Sequence, residues 1–178
     1  MNNNLECGIW DKEGICLVPI AELEKLPLYH RETIPSDYLD VMGHMNIRWY
    51  MALYDRAAWN FFSSHGLNED YFREKQAGAF ALKHVINYYA EVRVEQTIDI
   101  RTRLLGGSER RFHVMHFMIH ETDGWLASTL ELLGTHADLQ IRRAAPMPPE
   151  ISAKIDAKLA KDQLLDWEAP VSGIIRAD

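Results

Sequence analysis

Four residues within seven positions, three of them polar, form the part of the chain whose residue types best suit chemistry. They are Asp40, Gly43, His44 and Asn46. A carboxylate can serve as a nucleophile or general base, and an imidazole can exchange a proton near neutral pH. The same spacing also has a purely structural interpretation, because Asp followed three residues later by Gly is typical of a type I turn. Both interpretations are open on the residues alone.

An amphipathic helix is predicted to follow directly. Apolar residues recur at three- and four-residue steps from Asn46 to about Ser64, which is typical of one helical face. Asn46 is a good N-cap, and Gly66 is predicted to terminate the helix in the left-handed region. The amides of the first turn carry partial positive charge. A carboxylate, a histidine and an anion-binding helix end are therefore expected to meet at one place.

The remaining elements predict an α+β fold. Alternating or continuous apolar runs predict strands over 28–34, 80–92, 98–104, 112–120 and 125–138, with helices over 68–75 and 150–165. A small hairpin around 11–14 and a helical turn over 21–26 are predicted at the start, and a loose tail over 166–178 at the end. One long helix with a run of antiparallel strands favours a sheet wrapped around that helix.

Composition narrows the class of protein. The 178 residues carry a net charge of -7, which argues against a nucleic-acid partner. No apolar run reaches membrane-spanning length, and the N-terminus has no signal-peptide pattern. Cys7 and Cys16 are too few for a disulfide framework. A cytoplasmic protein without nucleic-acid or membrane partners is the expectation.

The segment Asp40-Val41-Met42-Gly43-His44-Met45-Asn46 resembles the D-x-x-G-H-x-N segment that opens the central helix of certain hotdog-fold enzymes. These are the acyl-CoA thioesterases of the 4-hydroxybenzoyl-CoA thioesterase-like type. The similarity extends through Tyr50 and, as a pattern of strands, to about Asp138. The resemblance implies a hotdog domain over 28–143, flanked by an N-terminal extension over 1–27 and a C-terminal helix and tail over 144–178. It also implies hydrolysis of a small or medium acyl-CoA to a carboxylic acid and free CoA.

The resemblance assigns expected roles to single residues. Asp40 would act as nucleophile or general base, and the residues do not decide between the two. The other expected site residues are His44 and Asn46 in catalysis, and Gly43, Trp49 and Tyr50 against the substrate. A structural role is equally open for His44 as a loop-bonding residue and for Tyr50 as a core residue. Asn46 is most simply the helix cap. Backbone amides near Met45 to Arg48, or from a partner subunit, would stabilise the oxyanion.

Coenzyme A enters only as part of the substrate, and no other cofactor or metal is expected. His113, His116 and His120 lie on one predicted strand at spacings that do not suit joint chelation. One or two arginines are expected to contact the CoA phosphates. The candidates are Arg48, Arg101, Arg103, Arg110, Arg111, Arg142 and Arg143.

Alternatives remain for the oligomeric state, the acyl group and the reaction. Strands that are apolar on both faces, together with an exposed edge, favour a homodimer or a tetramer. The five tryptophans could cage a betaine-like quaternary ammonium, although core packing explains them as well. A hotdog hydratase or dehydratase is the alternative enzyme, and a non-catalytic acyl-CoA-binding module is the alternative from another class. Release of free thiol would separate hydrolysis from both.

Overall fold

The computed structural model describes residues 7–10 and 16–177, and the side chains of Cys7, Trp10, Cys16 and Leu17 are not described. Strands β1 (Cys7–Trp10) and β2 (Cys16–Pro19) pair antiparallel and lead into the short helix α1 (Ile20–Glu24). The predicted hairpin therefore has its two strands, while its turn at 11–14 falls outside the described residues.

The main sheet is entirely antiparallel. Its strands are β3 (Leu28–Thr33), β4 (Ala77–Tyr88), β5 (Thr97–Gly107), β6 (Arg111–His120), β7 (Leu126–Asp138) and the two-residue β8 (Arg143–Ala144). The order across the sheet is β3-β5-β6-β7-β4, and β8 pairs with β7. Strands β3 and β4 are thus the two edges.

Helix α2 (Ile47–Ser64) lies on one face of this curled sheet. Tyr50, Leu53, Tyr54 and Ala57 are buried in one cluster with sheet residues such as Met118. The predicted helix is confirmed at both ends. Asn46 is its N-cap, and the chain leaves the helix through Gly66 at φ +99°. Helix α3 (Glu69–Lys75) then leads into β4. The predicted α+β architecture, a sheet wrapped around one long helix, is confirmed.

The opposite face of the sheet is covered by the two ends of the same chain. Ile9, Val18 and Leu23 pack with Phe117 of β6 and with Trp167, which follows helix α4 (Pro149–Asp162). The N-terminal hairpin and the C-terminal tail bury this face, so its apolar side chains do not need a second subunit to cover them.

The prediction of a loose C-terminal tail over 166–178 is wrong. Trp167 and Ile175 are only 8% and 4% exposed. The guanidinium of Arg103 lies 4.2 Å above the Trp167 ring and donates to the Trp167 carbonyl at 2.7 Å. The amide of Ser172 donates to the buried Glu131 carboxylate at 2.8 Å. These long-range contacts fix the tail, and its local sequence gives no sign of them.

Strand β4 differs from its prediction in both bounds and pattern. It begins at Ala77 and ends at Tyr88, so Val92 lies beyond it, where it is fully buried. A bulge between Ala81 and Lys83 interrupts the pairing with β7. A bulge shifts the alternation of side chains by one position. The single alternation predicted over 80–92 therefore does not hold across the strand.

Candidate active site

A tight turn holds Asp40 immediately before helix α2. The Gly43 amide donates to the Asp40 carbonyl and the Asp40 amide donates to the His44 carbonyl, both at 3.0 Å. The Met42 amide donates to Oδ1 of Asp40 at 2.8 Å. Gly43 sits at φ +84°, a conformation that residues with a Cβ rarely adopt. The turn interpretation of Asp40 is correct, and the turn also fixes the direction of its carboxylate.

The second carboxylate oxygen of Asp40 faces His44. Nδ1 of His44 lies 3.7 Å from Oδ2 of Asp40, and the two side chains are 27% and 16% exposed. This separation is too long for a direct hydrogen bond but short enough for strong electrostatic interaction if the imidazole is protonated. A largely shielded carboxylate and a histidine are thus neighbours, as the sequence motif predicted.

One backbone amide at the start of α2 is left without a hydrogen-bond acceptor in the described part of the chain. The Met45 amide donates to the Val92 carbonyl at 2.7 Å, and the Asn46 amide donates to the Tyr38 carbonyl at 2.9 Å. The Arg48 amide donates to the Asn46 side chain at 3.2 Å. The Ile47 amide has no acceptor among the residues that the structure describes. Because it lies at the positive end of the helix dipole, it is suited to bind a developing oxyanion.

A cavity of about 300 Å³ opens beside these groups. It is bordered by the helix start on one side and by the end of β4 and the following loop on the other. Its lining residues are His44, Met45, Ile47, Tyr50, Tyr88, Tyr89, Ala90 and Glu91. Asp40 is not among the lining residues, but its Oδ2 lies 3.7 Å from Nδ1 of His44, which is. The volume is at the lower end for small-molecule sites, which favours a short ligand group.

Tyr50 and Trp49 are neighbours at the start of α2, but only Tyr50 lines the cavity. Tyr50 is 4% exposed, lines the cavity and meets Tyr88 edge-on with ring centroids 5.0 Å apart. Burial raises the pKa of Tyr50, although a hydrogen bond to the Val92 backbone opposes that rise. The Trp49 ring stacks on Tyr38 at 3.7 Å and is not among the cavity-lining residues. A substrate contact by Trp49 therefore stays a prediction.

Tyr88, Tyr89 and Glu91 are the cavity residues that sequence reasoning missed. The sequence pattern predicts them only as part of the strand over 80–92. Pairing of β4 with β7 places them beside the helix start, since the amides of Tyr89 and Ala90 both donate to the Ala127 carbonyl. Two consecutive tyrosines followed by a glutamate were a visible signal. Only the strand register shows that they reach the Asp40 turn.

Two further cavities lie away from this turn. One of about 130 Å³ lies between α2 and β4, where mostly apolar side chains surround Asp55 and His84. Burial lowers the pKa of His84, and the charge of Asp55 opposes that shift. The other cavity, of about 500 Å³, lies under the C-terminal tail near Arg103 and Asp162. Neither cavity contains a residue of the predicted site.

Among the candidate phosphate-binding arginines, Arg101 and Arg103 are held by backbone carbonyls, and Arg110 pairs with Glu109 at 2.9 Å. Arg101 donates to the carbonyls of Glu24 and Leu26 at 2.7 Å, and Arg103 is buried against Trp167. Arg48 lies over the Trp49 ring at 5.4 Å and remains exposed at the helix start. Of the candidates, Arg48 is thus the one nearest the Asp40 turn along the chain.

The described tryptophan side chains do not cluster. Trp49 stacks on Tyr38 and Trp125 on His120, while Trp59 contacts Phe72 and Trp167 contacts Phe117. A tryptophan cage does not form among these four.

Across the described residues, no three His, Cys, Asp or Glu side chains are grouped to hold a metal ion. No described helix is long and apolar enough to span a membrane.

A curled antiparallel sheet around one long helix defines the hotdog class of fold. A Staphylococcus aureus protein solved in complex with CoA has the same fold, with a TM-score of 0.77 at 22% identity, covering 85% of this chain and 96% of that chain. Residues 34–155 match the Thioesterase-like superfamily, and the chain belongs to that family.

Two characterised relatives are similar over most of this chain. The betainyl-CoA thioesterase of Pseudomonas aeruginosa is 25% identical over 132 residues, which cover 74% of this chain and 82% of that protein. The L-carnitine dehydrogenase/betainyl-CoA thioesterase of Agrobacterium fabrum is 28% identical over 134 residues, 75% of this chain. The matched part is only 27% of the Agrobacterium protein's length.

Proposed function

We propose that this protein is an acyl-CoA thioesterase, which converts R–CO–S–CoA and water into R–COOH and free CoA. The observation that carries the proposal is the grouping at the start of α2. There Oδ2 of Asp40 lies 3.7 Å from His44, next to a cavity and to the unpaired Ile47 amide. Membership of the Thioesterase-like superfamily supports the same reaction.

Each group has a role in this chemistry. Asp40 either attacks the thioester carbon directly or removes a proton from the attacking water. The Ile47 amide donates a hydrogen bond to the oxygen on which negative charge collects, which is worth a few kcal/mol in comparable sites. His44, which lines the cavity, holds a proton for the departing CoA sulfur. Asn46 acts indirectly, because its cap fixes the helix start.

The charge of Asp40 can be tested separately from its role in the turn. In Asp40→Asn the side-chain oxygen can still accept from the Met42 amide, so the turn is kept while the charge is lost. We expect thiol release to fall about 10²- to 10⁴-fold with little change in melting temperature. Asp37→Asn, at an exposed aspartate of the same segment, is the matched control. Near-normal turnover in Asp40→Asn would rule out this role.

A second experiment addresses the two roles left open for Asp40. Turnover in ¹⁸O-labelled water introduces the label into the Asp40 carboxylate if water hydrolyses an acyl–Asp40 anhydride at the aspartyl carbon. Mass spectrometry of the peptide that contains Asp40 detects this label. Labelled Asp40 would establish direct attack, whereas activation of water transfers the label to the product acid alone.

We propose further that the active form is a homodimer joined along β4. This edge strand exposes Phe80, Leu82 and Tyr88 at 44%, 52% and 49%. An exposed apolar edge is a template for pairing with a second copy. The chain's own ends bury the outer face of the sheet, so this proposal is a dimer and not a tetramer. In sedimentation experiments Leu82→Lys should shift the protein toward monomer, and Leu164→Lys, an exposed control, should not.

The relatives' names supply the first substrate to assay. Both are described as acting on betainyl-CoA, whose acyl group is short and carries a quaternary ammonium. A short acyl group agrees with the small cavity. We therefore propose betainyl-CoA as the leading candidate for this protein, within a panel that includes neutral short, branched and aromatic acyl-CoAs.

A further inference from the structure

Three tyrosine rings surround the cavity beside the Asp40 turn. Tyr50 is buried at 4% exposure, while Tyr88 and Tyr89 are 49% and 48% exposed. The rings of Tyr50 and Tyr88 are nearly perpendicular, at 89°, with centroids 5.0 Å apart. Tyr88 and Tyr89 therefore line the cavity and are also accessible to solvent.

The hydroxyl groups of these tyrosines are partly occupied. Tyr50 forms a hydrogen bond with the Val92 backbone, and the Tyr89 hydroxyl lies 3.5 Å from Oγ1 of Thr129. The aromatic faces of the rings remain available to bind a ligand. Aromatic faces attract cations within about 6 Å of the ring centroid, and quaternary ammonium groups are bound this way because they have no N–H to donate.

The charge of the cavity lining favours a cation as well. Glu91 is the acidic residue among the lining residues, His44 is the lining residue that can carry a positive charge, and no lysine or arginine is present among them. Arg93 pairs with Glu91 at 3.2 Å, but both side chains are more than half exposed. Exposed ion pairs are weak, so a ligand cation can compete for this carboxylate. Asp40 adds a second carboxylate, 3.7 Å from Nδ1 of the cavity-lining His44.

We infer that Tyr50, Tyr88, Tyr89 and Glu91 form the acyl subsite and select a short acyl group that ends in a quaternary ammonium. The inference rests on the proposed thioesterase function, since it places the acyl group next to His44. It goes further by naming the side chains that distinguish a cationic acyl group from a neutral one of the same shape.

A matched pair of substrates varies the charge at nearly constant shape. Because the ammonium also activates the thioester carbonyl, the change in the rate ratio between variants is what tests the subsite. Trimethylammonioacetyl-CoA and 3,3-dimethylbutanoyl-CoA differ only by a nitrogen cation in place of a carbon atom. We expect the wild-type protein to release CoA from both, with kcat/KM at least about tenfold higher for the cationic substrate. Tyr89→Leu should lower this ratio about 2- to 30-fold, and Glu91→Gln about 2- to 5-fold.

Of two further variants, one is expected to raise the ratio and the other to leave it unchanged. Arg93→Gln removes the competing cation beside Glu91, so the ratio should rise. Glu74→Gln removes an exposed carboxylate of α3 and should leave the ratio unchanged. Because each result is a ratio measured on the same protein sample, partial unfolding of a variant lowers both rates and does not mimic the effect. Added salt should also reduce the ratio, since Glu91 is exposed.

The outcomes separate this inference from the proposed function. Equal rates on the two substrates would overturn the tyrosine–glutamate subsite and leave the thioesterase in place. A ratio that survives both Tyr89→Leu and Glu91→Gln would also overturn it, since the cation would then be recognised elsewhere. Failure to release CoA from either substrate, or from any acyl-CoA of the panel, would overturn the thioesterase proposal.

Discussion

The buried histidine His116 makes the stability of this fold sensitive to acid. Its side chain is 0% exposed, and one ring nitrogen, Nδ1, lies 2.8 Å from Oγ1 of Thr102. The other, Nε2, has no partner among the described residues. The groups around it are Tyr54 from α2, with ring centroids 6.0 Å apart, and His84 from β4. Burial, aided by the charge of His84, lowers the pKa of His116 to about 3.

The direction and size of the effect follow from this pKa. In the unfolded chain His116 would titrate near its ordinary pKa of about 6.5. Between these two pKa values the unfolded state binds a proton that the folded state does not. The folded state therefore loses stability as the pH falls through 6.5 toward 3. One pKa unit corresponds to about 1.4 kcal/mol, so the loss from pH 7 to pH 5 is about 2 kcal/mol.

Urea unfolding at pH 7, 6 and 5, at one protein concentration, measures this loss. In His116→Leu the decrease in unfolding free energy between pH 7 and pH 5 should be smaller than in the wild type by about 2 kcal/mol. Thr102→Val removes the same hydrogen bond but keeps the buried imidazole, so its pH dependence should match the wild type. If His116→Leu loses stability with acid as steeply as the wild type, His116 is not the group responsible.

Three further changes test the turn, the helix start and the tail. Gly43→Ala should lower stability by about 1 kcal/mol and reduce turnover, because φ +84° is costly with a Cβ even though open space surrounds it. A thermal melt and a thiol-release assay measure both effects. Asn46→Ala removes the cap of α2 and should cost about 1 kcal/mol in urea unfolding. Asp162→Ala leaves the buried Lys158 ammonium without its hydrogen-bonded partner and should destabilise by about 3–5 kcal/mol. An unchanged urea midpoint in Asp162→Ala would contradict this account of the buried pair.

The parts of the fold that sequence reasoning predicted are those with local physical causes. Helix α2 was predicted closely because its apolar period, its cap at Asn46 and its left-handed exit at Gly66 all lie within about twenty residues. The Asp40 turn is equally local, since its hydrogen bonds join residues at most four apart. A carboxylate and a histidine at a helix start could therefore be placed together without the rest of the chain.

What the sequence did not reveal depends on contacts between distant segments. Trp167 is buried because Arg103, 64 positions earlier, binds its carbonyl. Tyr88 and Tyr89 reach the site because β4 pairs with β7, and a bulge within that pairing shifts which side chains face outward. A one-residue change of register would move these tyrosines to the other face. Neither register nor bulge has a signal in the local pattern.

The distribution of exposed apolar side chains connects the site with the proposed partner. Half of the large exposed hydrophobic residues in the described part of the chain lie in the Asp40 turn, at the start of α2, along β4 or directly after it; these are Val41, Met42, Ile47, Phe80, Leu82, Tyr88 and Tyr89. The outer face of the sheet, in contrast, is covered by the chain's own ends. A second copy that pairs along β4 would bury apolar surface next to the cavity and exclude water from it. Exclusion of water strengthens the interactions of Asp40, Glu91 and the Ile47 amide with a bound thioester. Assembly and catalysis would then depend on the same edge of the sheet.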